Sequence, residues 1–275
     1  MRDADFVGVE GVCVWPFNRK PLLDSEMTDW MFEQADWLLR AHRHRAAFAA
    51  AQFLPLSEKV FPCDGAQGHD LALRLFAHVL LYGRVSWLNI ELTPRGDSGR
   101  YEQVGQPIAI QPKSGPAGTY RHGDGVSEIS YDTTLLRAPA DLIAVLAHEV
   151  AHAILGFGAS RTPPGDPAFE EMRTDFTAIF LGFGLYLAQF RADGRVASPE
   201  AAHEWKKLYM YYMNLREICF ATALFSAVRE VDAGLVLRRA PGAATPHLKR
   251  AFADLAREAD RIEALRAAAK AAAAM

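Results

Sequence analysis

The chain has 275 residues, of which half are apolar and 23% are charged, and its formal net charge is −3 at pH 7. This near-neutral balance does not predict the clustered basic surface of a nucleic-acid-binding protein, so we expect no nucleic-acid partner. The length is sufficient for one large domain or two small ones with a substantial core.

Cysteine usage and the apolar runs indicate the class and location of the protein. The three cysteines, Cys13, Cys63 and Cys219, are odd in number and far apart, so no disulfide framework is predicted. Residues 1–17 contain acidic side chains and lack the apolar stretch of a signal peptide, which predicts a cytoplasmic location. The longest uncharged run, 176–190, has fifteen residues. That is short for a membrane span and favours a buried helix.

Two helices are predicted at the start of the chain. Apolar faces at helical spacing indicate helices over 28–51 and 71–82, the second of which ends at Gly83. The first contains the cluster RAHRHR at 40–45. Such a cluster could bind a metal or an anion, but its helical spacing favours a solvated face.

A change of periodicity predicts a short sheet after these helices. Alternating side chains indicate a strand over 85–92, and 107–112 and 126–131 are two further strand candidates. The stretch 113–125 is rich in glycine and polar residues, which predicts a loop. A hairpin tip and a substrate-covering flap are the alternatives for this stretch.

Helices dominate after Ala138. Their predicted ranges are 139–156, 166–190 with Asp166 as N-cap, a helix from Ser198, 215–231 with a capping box of Asn214 and Glu217, and a tail helix over 246–267. We therefore predict an α+β fold. A single domain, 1–240, would combine a small mixed α/β part (1–135) with a helical part (136–240), followed by a helical tail (241–275).

The helix predicted over 139–156 contains LAHEVAHAIL, an apolar run interrupted by His148, Glu149 and His152. Side chains four residues apart lie on the same face of a helix, so the two imidazoles converge. They could bind one Zn²⁺, with Glu149 close enough to take a proton from a water beside it. The alternative is a chance pair of core histidines, each of which would need its own hydrogen-bond partner.

The stretch FEEMRTDF follows this motif and supplies Glu170, Glu171 and Asp175. Together, HEVAHAIL and EEMRTDFTAIFLGFGLYLA resemble the gluzincin-type zinc metallopeptidases, in which H-E-x-x-H is followed by E-x-x-T-D. The resemblance covers residues 129–231 and implies a zincin-like fold. It also implies that Glu171 is the third metal ligand. Asp175, on the same helical face, would then fix the far nitrogen of a ligating imidazole.

The third ligand position has two alternative assignments, the metzincin pattern and Asp175. The metzincin pattern is excluded, because Leu155 and Gly158 stand where it requires glycine and histidine. Asp175 in place of Glu171 remains an alternative ligand. Acidic residues that merely suit a helix N-terminus would explain Glu171, but not Asp175, which opens the long apolar run.

The resemblance implies a catalytic role for Glu149 as general base. Tyr212 is the predicted donor to the oxyanion of the reaction, because it precedes a predicted helix cap. Tyr209, His203 and His247 are alternatives, and an aromatic core patch explains the tyrosines equally well. We expect a zinc-dependent hydrolase that acts on peptides or proteins. A non-catalytic, zinc-binding regulatory or interaction protein is the alternative, and no particular oligomeric state is predicted.

Overall fold

The computed structural model describes residues 20–95, 118–123, 126–156, 169–192 and 212–274. The strand predicted at 107–112, the helix predicted from Ser198 and the N-cap predicted at Asp166 lie outside the described residues. Within them the chain is mixed α/β, mostly helical with a short sheet, which agrees with the predicted α+β class.

The first described elements are three helices and three strands. They are α1 (Ser25–Arg40), α2 (Arg45–Ala50), α3 (Gly68–Tyr82), β1 (Ile90–Arg95), β2 (Gly118–Gly123) and β3 (Val126–Asp132).

A short 3₁₀ helix, Thr133–Arg137, leads from the sheet into the helical part. The helices that follow are α4 (Pro139–Gly156), α5 (Glu170–Ala178), α6 (Gly184–Ala192), α7 (Leu215–Val228), α8 (Ala233–Arg239), α9 (Thr245–Leu255) and α10 (Ala259–Ala273). The predicted capping box at the start of α7 is confirmed. The side chain of Asn214 accepts the backbone N–H of Glu217, and the side chain of Glu217 accepts the backbone N–H of Asn214.

The helix predicted over 28–51 is divided, and the cluster at 40–45 is solvated only in part, because Arg40 and Arg43 are exposed but His42 is not. His42 is fully buried in the turn between α1 and α2, edge-on to Trp37 and Phe48. Its Nδ1 accepts the backbone N–H of His44 at 3.0 Å. Burial, together with the neighbouring His44, lowers the pKa of His42 to about 4. Because its imidazole is neutral, His42 can pack as an aromatic core residue. The arginines beside it in the sequence favoured a solvated position, so the burial of His42 was not predicted.

The sheet region differs from the predictions at the strand expected over 85–92 and at the stretch predicted as a loop. The strand expected over 85–92 begins only at Ile90, because the chain turns after α3 and the N–H of Val85 donates to the carbonyl of Leu80. The stretch 113–125, for which a loop was predicted and a hairpin tip was an alternative, contains β2, which pairs with β3 as a hairpin. Its described part therefore agrees with the hairpin alternative. This pairing, rather than local composition, makes β2 a strand. The strand predicted at 126–131 is confirmed as β3.

The sheet has the strand order β1-β3-β2 and packs against α4. Strand β1 runs parallel to β3, whereas β2 is antiparallel to β3 and forms an edge of the described sheet. Helix α4 also contacts α3, α5 and α6. It is the one described helix with the length and composition of a membrane span, but 72% of it is buried, as in a core helix.

The helix predicted through 166–190 is interrupted between α5 and α6. A π-helical turn, Ile179–Phe183, contains Gly182 with a φ of 105°. A side chain at this glycine would overlap the carbonyl oxygen of Gln52, and the N–H of Leu54 donates to the Gly182 carbonyl at 3.4 Å. The interruption therefore accommodates the segment between α2 and α3.

The tail forms two helices instead of one fraying helix. Helix α9 ends at Leu255, and α10 continues to Ala273, beyond the predicted fraying point at Ala267. The alanines Ala268, Ala269 and Ala272 are buried in the core, where α10 contacts α1, α2 and α7. Their small side chains permit this close packing, which is why the last turns do not fray.

Candidate metal centre

Helix α4 presents His148 and His152 on one face. Their ring centroids lie 4.8 Å apart, as the four-residue spacing predicts. Pro139 occupies the start of the helix, where its fixed φ is favourable and no N–H is needed. Residues 141–151 are all buried, so the surrounding core fixes the helix and the direction in which the imidazoles project.

Glu171 of α5 completes a group of three potential ligand atoms. Its Oε2 lies 3.1 Å from Nε2 of His148 and 3.3 Å from Nε2 of His152. All three atoms lie within 4.8 Å of one another, which is close enough to bind a metal ion. The neighbouring Glu170 is exposed and does not belong to the group.

Two of the three separations within this group match those expected between ligands of a tetrahedral zinc ion, and the group as a whole spans no more than 4.8 Å. Tetrahedral Zn²⁺ with bonds of about 2.0–2.1 Å places neighbouring ligand atoms roughly 3.3 Å apart. The two distances between the histidine nitrogens and the carboxylate oxygen match this value. Two imidazoles and one carboxylate are also a donor set found in catalytic zinc sites.

The far nitrogens of both imidazoles face hydrogen-bond acceptors. His148 Nδ1 lies 2.8 Å from Oδ1 of Asp175. His152 Nδ1 lies 3.3 Å from Oγ1 of Thr174, whose hydroxyl donates to the carbonyl of Glu170 at 2.9 Å. Each Nδ1–H is therefore a donor, which leaves each Nε2 available to a metal ion or, in its place, a proton.

Asp175 is buried and accepts hydrogen bonds on both oxygens. Besides His148 on Oδ1, its Oδ2 accepts the backbone N–H of Met213 at 3.0 Å and lies 3.5 Å from the guanidinium of Arg191. Asp175 thus faces His148 from the side opposite Glu171. Sequence reasoning missed Met213 and Arg191, because no local pattern marks a backbone donor or an arginine at a helix end.

The charges of the group depend on these contacts. Burial alone would lower the pKa of His148, but hydrogen bonds to Asp175 and Glu171 outweigh it and raise the pKa to about 10. Burial would raise the pKa of Glu171, yet hydrogen bonds from His148 and His152 hold it well below its usual range. Without a metal ion, protonated His148 and ionised Glu171 therefore form an ion pair. A metal ion that binds here must displace the proton from Nε2 of His148.

Glu149 lies beside the ligand group without belonging to it. The residue is 6% exposed. Burial raises the pKa of its carboxyl group, although His148 and His152 oppose the shift. The side chain lies against Gly118 at the start of β2. Gly118 was not predicted as a site residue, since nothing local distinguishes it from the other glycines of the stretch 113–125.

Tyr212, the predicted oxyanion donor, lies next to the same group. Its ring centroid is 5.4 Å from that of His148 and 5.6 Å from the guanidinium carbon of Arg191. Burial raises the pKa of Tyr212, and the carboxylates of Glu171, Asp175 and Glu149 raise it further. The phenol therefore stays protonated, and its hydroxyl hydrogen-bonds to Glu171.

Of the other oxyanion-donor candidates, only His247 belongs to the described residues, and it lies in a different helix from the candidate ligands. Tyr209 and His203 lie outside the described residues. His247 lies in the first turn of α9, where its electrostatic neighbours are Arg216 and Arg250. Of the predicted donors within the described part of the chain, Tyr212 alone contacts the candidate ligands.

Comparisons with known proteins identify no relative of this chain. No protein-family model, curated protein or solved structure matches the chain.

Proposed function

We propose that this protein is a zinc-dependent hydrolase with a zincin-like fold and a gluzincin-type site. The observation that carries the proposal is the common orientation of two imidazoles. His148 and His152 each donate from Nδ1 to a fixed acceptor, and each directs Nε2 to the same oxygen of Glu171. Three protein ligands are the usual number in catalytic zinc sites, which keep a fourth position for water or substrate.

The proposed site consists of three metal ligands and a base beside them. His148, His152 and Glu171 would hold the zinc ion, which supplies Lewis acidity toward a carbonyl and toward water. Glu149 takes the proton of the attacking water and delivers it to the leaving amine. Burial raises the pKa of Glu149, and a raised pKa makes the carboxylate a better proton acceptor, which supports its role as the base.

Tyr212 is proposed as the donor that stabilises the oxyanion. Its phenol is protonated, its ring lies 5.4 Å from that of His148 at a tilt of 34°, and its hydroxyl is close to Glu171, so the hydroxyl lies beside the proposed ligands. A donor that is already oriented in a partly buried site strengthens as negative charge develops on the substrate oxygen.

The position of β2 supports a peptide substrate. Gly118, at the start of this strand, lies against Glu149, and no described strand pairs with the outer side of β2. An extended peptide can add to such an edge through backbone hydrogen bonds. We therefore propose peptides or proteins as the substrate class and amide hydrolysis as the reaction.

The substitution Glu149→Gln tests this function. It is nearly isosteric and leaves the three ligands in place, so zinc should be retained while hydrolysis falls at least about 100-fold. The assay is digestion of a peptide library, with Glu170→Gln as the matched control on an exposed acid. Equal cleavage by wild type and Glu149→Gln would exclude Glu149 as the base. Zinc binding without cleavage by wild type would favour the non-catalytic alternative.

A further inference from the structure

The start of β2 approaches α4 so closely that residue 118 has no room for a side chain. A Cβ at Gly118 would lie 2.7 Å from Cγ1 of Val145, 2.8 Å from Oε1 of Glu149 and 2.9 Å from Cγ of Glu149. Real Cβ contacts of this kind are essentially never shorter than 3.0 Å. Gly118 has no positive φ that would require glycine, so the close approach itself is the reason for it.

Strand β2 cannot easily withdraw from this contact. Gly118 pairs with Tyr131 of β3, and the next residue, Thr119, is bonded to Ser130 through their hydroxyl oxygens at 2.8 Å. Tyr131 is fully buried. A retreat of β2 would break this ladder, so a side chain at residue 118 must be accommodated on the α4 side.

The two α4 side chains that face Gly118 differ in how far they can move. Val145 is 5% exposed, and its branched side chain has essentially one allowed rotamer in a helix. Glu149 has a longer side chain with a carboxylate at its far end, so it would give way first. The Glu149 side chain therefore packs directly against the backbone of Gly118.

We propose that Gly118 is a positioning residue for Glu149, and that the absence of a side chain at residue 118 holds the Glu149 carboxylate beside the ligand group. This inference rests on the proposed function, in which Glu149 is the base. It adds a residue of the sheet to a site whose ligands and base the sequence places on helices. A misplacement of a catalytic group by 1 Å can cost about 100-fold in rate.

The test is the substitution Gly118→Ala, with Gly156→Ala as the matched control. Gly156 ends α4, and a Cβ there would meet its nearest neighbour, Cε1 of Tyr120, at 4.0 Å. We expect Gly118→Ala to retain zinc and to lose about 100-fold in kcat with little change in KM. Gly156→Ala should keep the wild-type values. A wild-type kcat in a folded, zinc-loaded Gly118→Ala variant overturns the inference.

A double-mutant cycle tests the contact independently of any substrate. In the background Glu149→Ala, two of the three close contacts disappear, so Gly118→Ala should lower Tm less than it does in wild type. Equal losses of Tm in both backgrounds contradict the inference. If Gly118→Ala does not fold, the cycle is run in the background Val145→Ala, which removes the stiff contact and leaves the displaceable carboxylate.

The outcomes separate the inference from the proposed function. If the wild-type protein neither binds zinc nor cleaves peptides, the proposed function is wrong. The double-mutant cycle measured by Tm would still show whether residue 118 fixes the position of Glu149. An active wild type with an equally active Gly118→Ala variant leaves the function in place and removes only the role of Gly118.

Discussion

The substitution Asp175→Asn removes one charge from a buried acceptor and tests how the site is oriented. Asp175 is 3% exposed, and its two oxygens accept from His148 Nδ1 at 2.8 Å and from the N–H of Met213 at 3.0 Å. Asparagine offers one carbonyl oxygen, so its NH₂ group must face one of these two donors. The loss of a hydrogen bond to a charged group costs about 1.5–3 kcal/mol.

This cost predicts the change in zinc affinity. If the lost hydrogen bond is the one that orients His148, this free-energy cost weakens zinc binding. At about 1.4 kcal/mol for each factor of ten, the zinc affinity should fall 10- to 100-fold. The assay is competition with a chelator of known affinity, and Glu170→Gln is the control on the same helix. Wild-type zinc affinity in a folded Asp175→Asn protein would refute the role given to Asp175.

Three further predictions follow from the same contacts. Glu171→Ala should weaken zinc binding far more than Glu170→Ala in the same chelator competition, because only Glu171 contacts both histidines; equal effects would mean that α5 presents a different face. Since the folded-state pKa of His148 is raised from 6.5 to about 10, protonation of His148 stabilises the metal-free protein fully below pH 6.5, and this contribution is lost as the pH rises toward 10. The measurement is thermal unfolding. A Tm that does not change with pH over this window would contradict the ion pair. Tyr212→Phe should keep zinc but lower kcat about 100-fold, and unchanged peptide hydrolysis would remove Tyr212 as the oxyanion donor.

The helical part of the site could be predicted because its spacing is local. His148 and His152 share a face of α4, and Glu171 and Asp175 share a face of α5, by helical periodicity alone. Periodicity could not decide which carboxylate faces Nε2. The structure shows Glu171 near both Nε2 atoms and Asp175 at an Nδ1, a difference set by the packing of α5 on α4.

The remaining site contacts depend on tertiary structure. Met213 is 38 residues from Asp175 in sequence, and Gly118 reaches Glu149 only because β2 pairs with β3. The composition of β2 is typical of a loop, so its pairing overrides the local signal. The turn at Gly182 was likewise unpredictable, because it accommodates a distant segment.

The most direct test of the account is the zinc content of the purified protein. Elemental analysis of wild type, His148→Ala and His152→Ala, each incubated with zinc and dialysed, measures whether this group binds the ion. Three protein ligands predict about one zinc per chain in wild type and its loss in both variants, since each leaves an incomplete set. A wild-type protein without zinc, or either variant with full zinc content, would contradict the central claim.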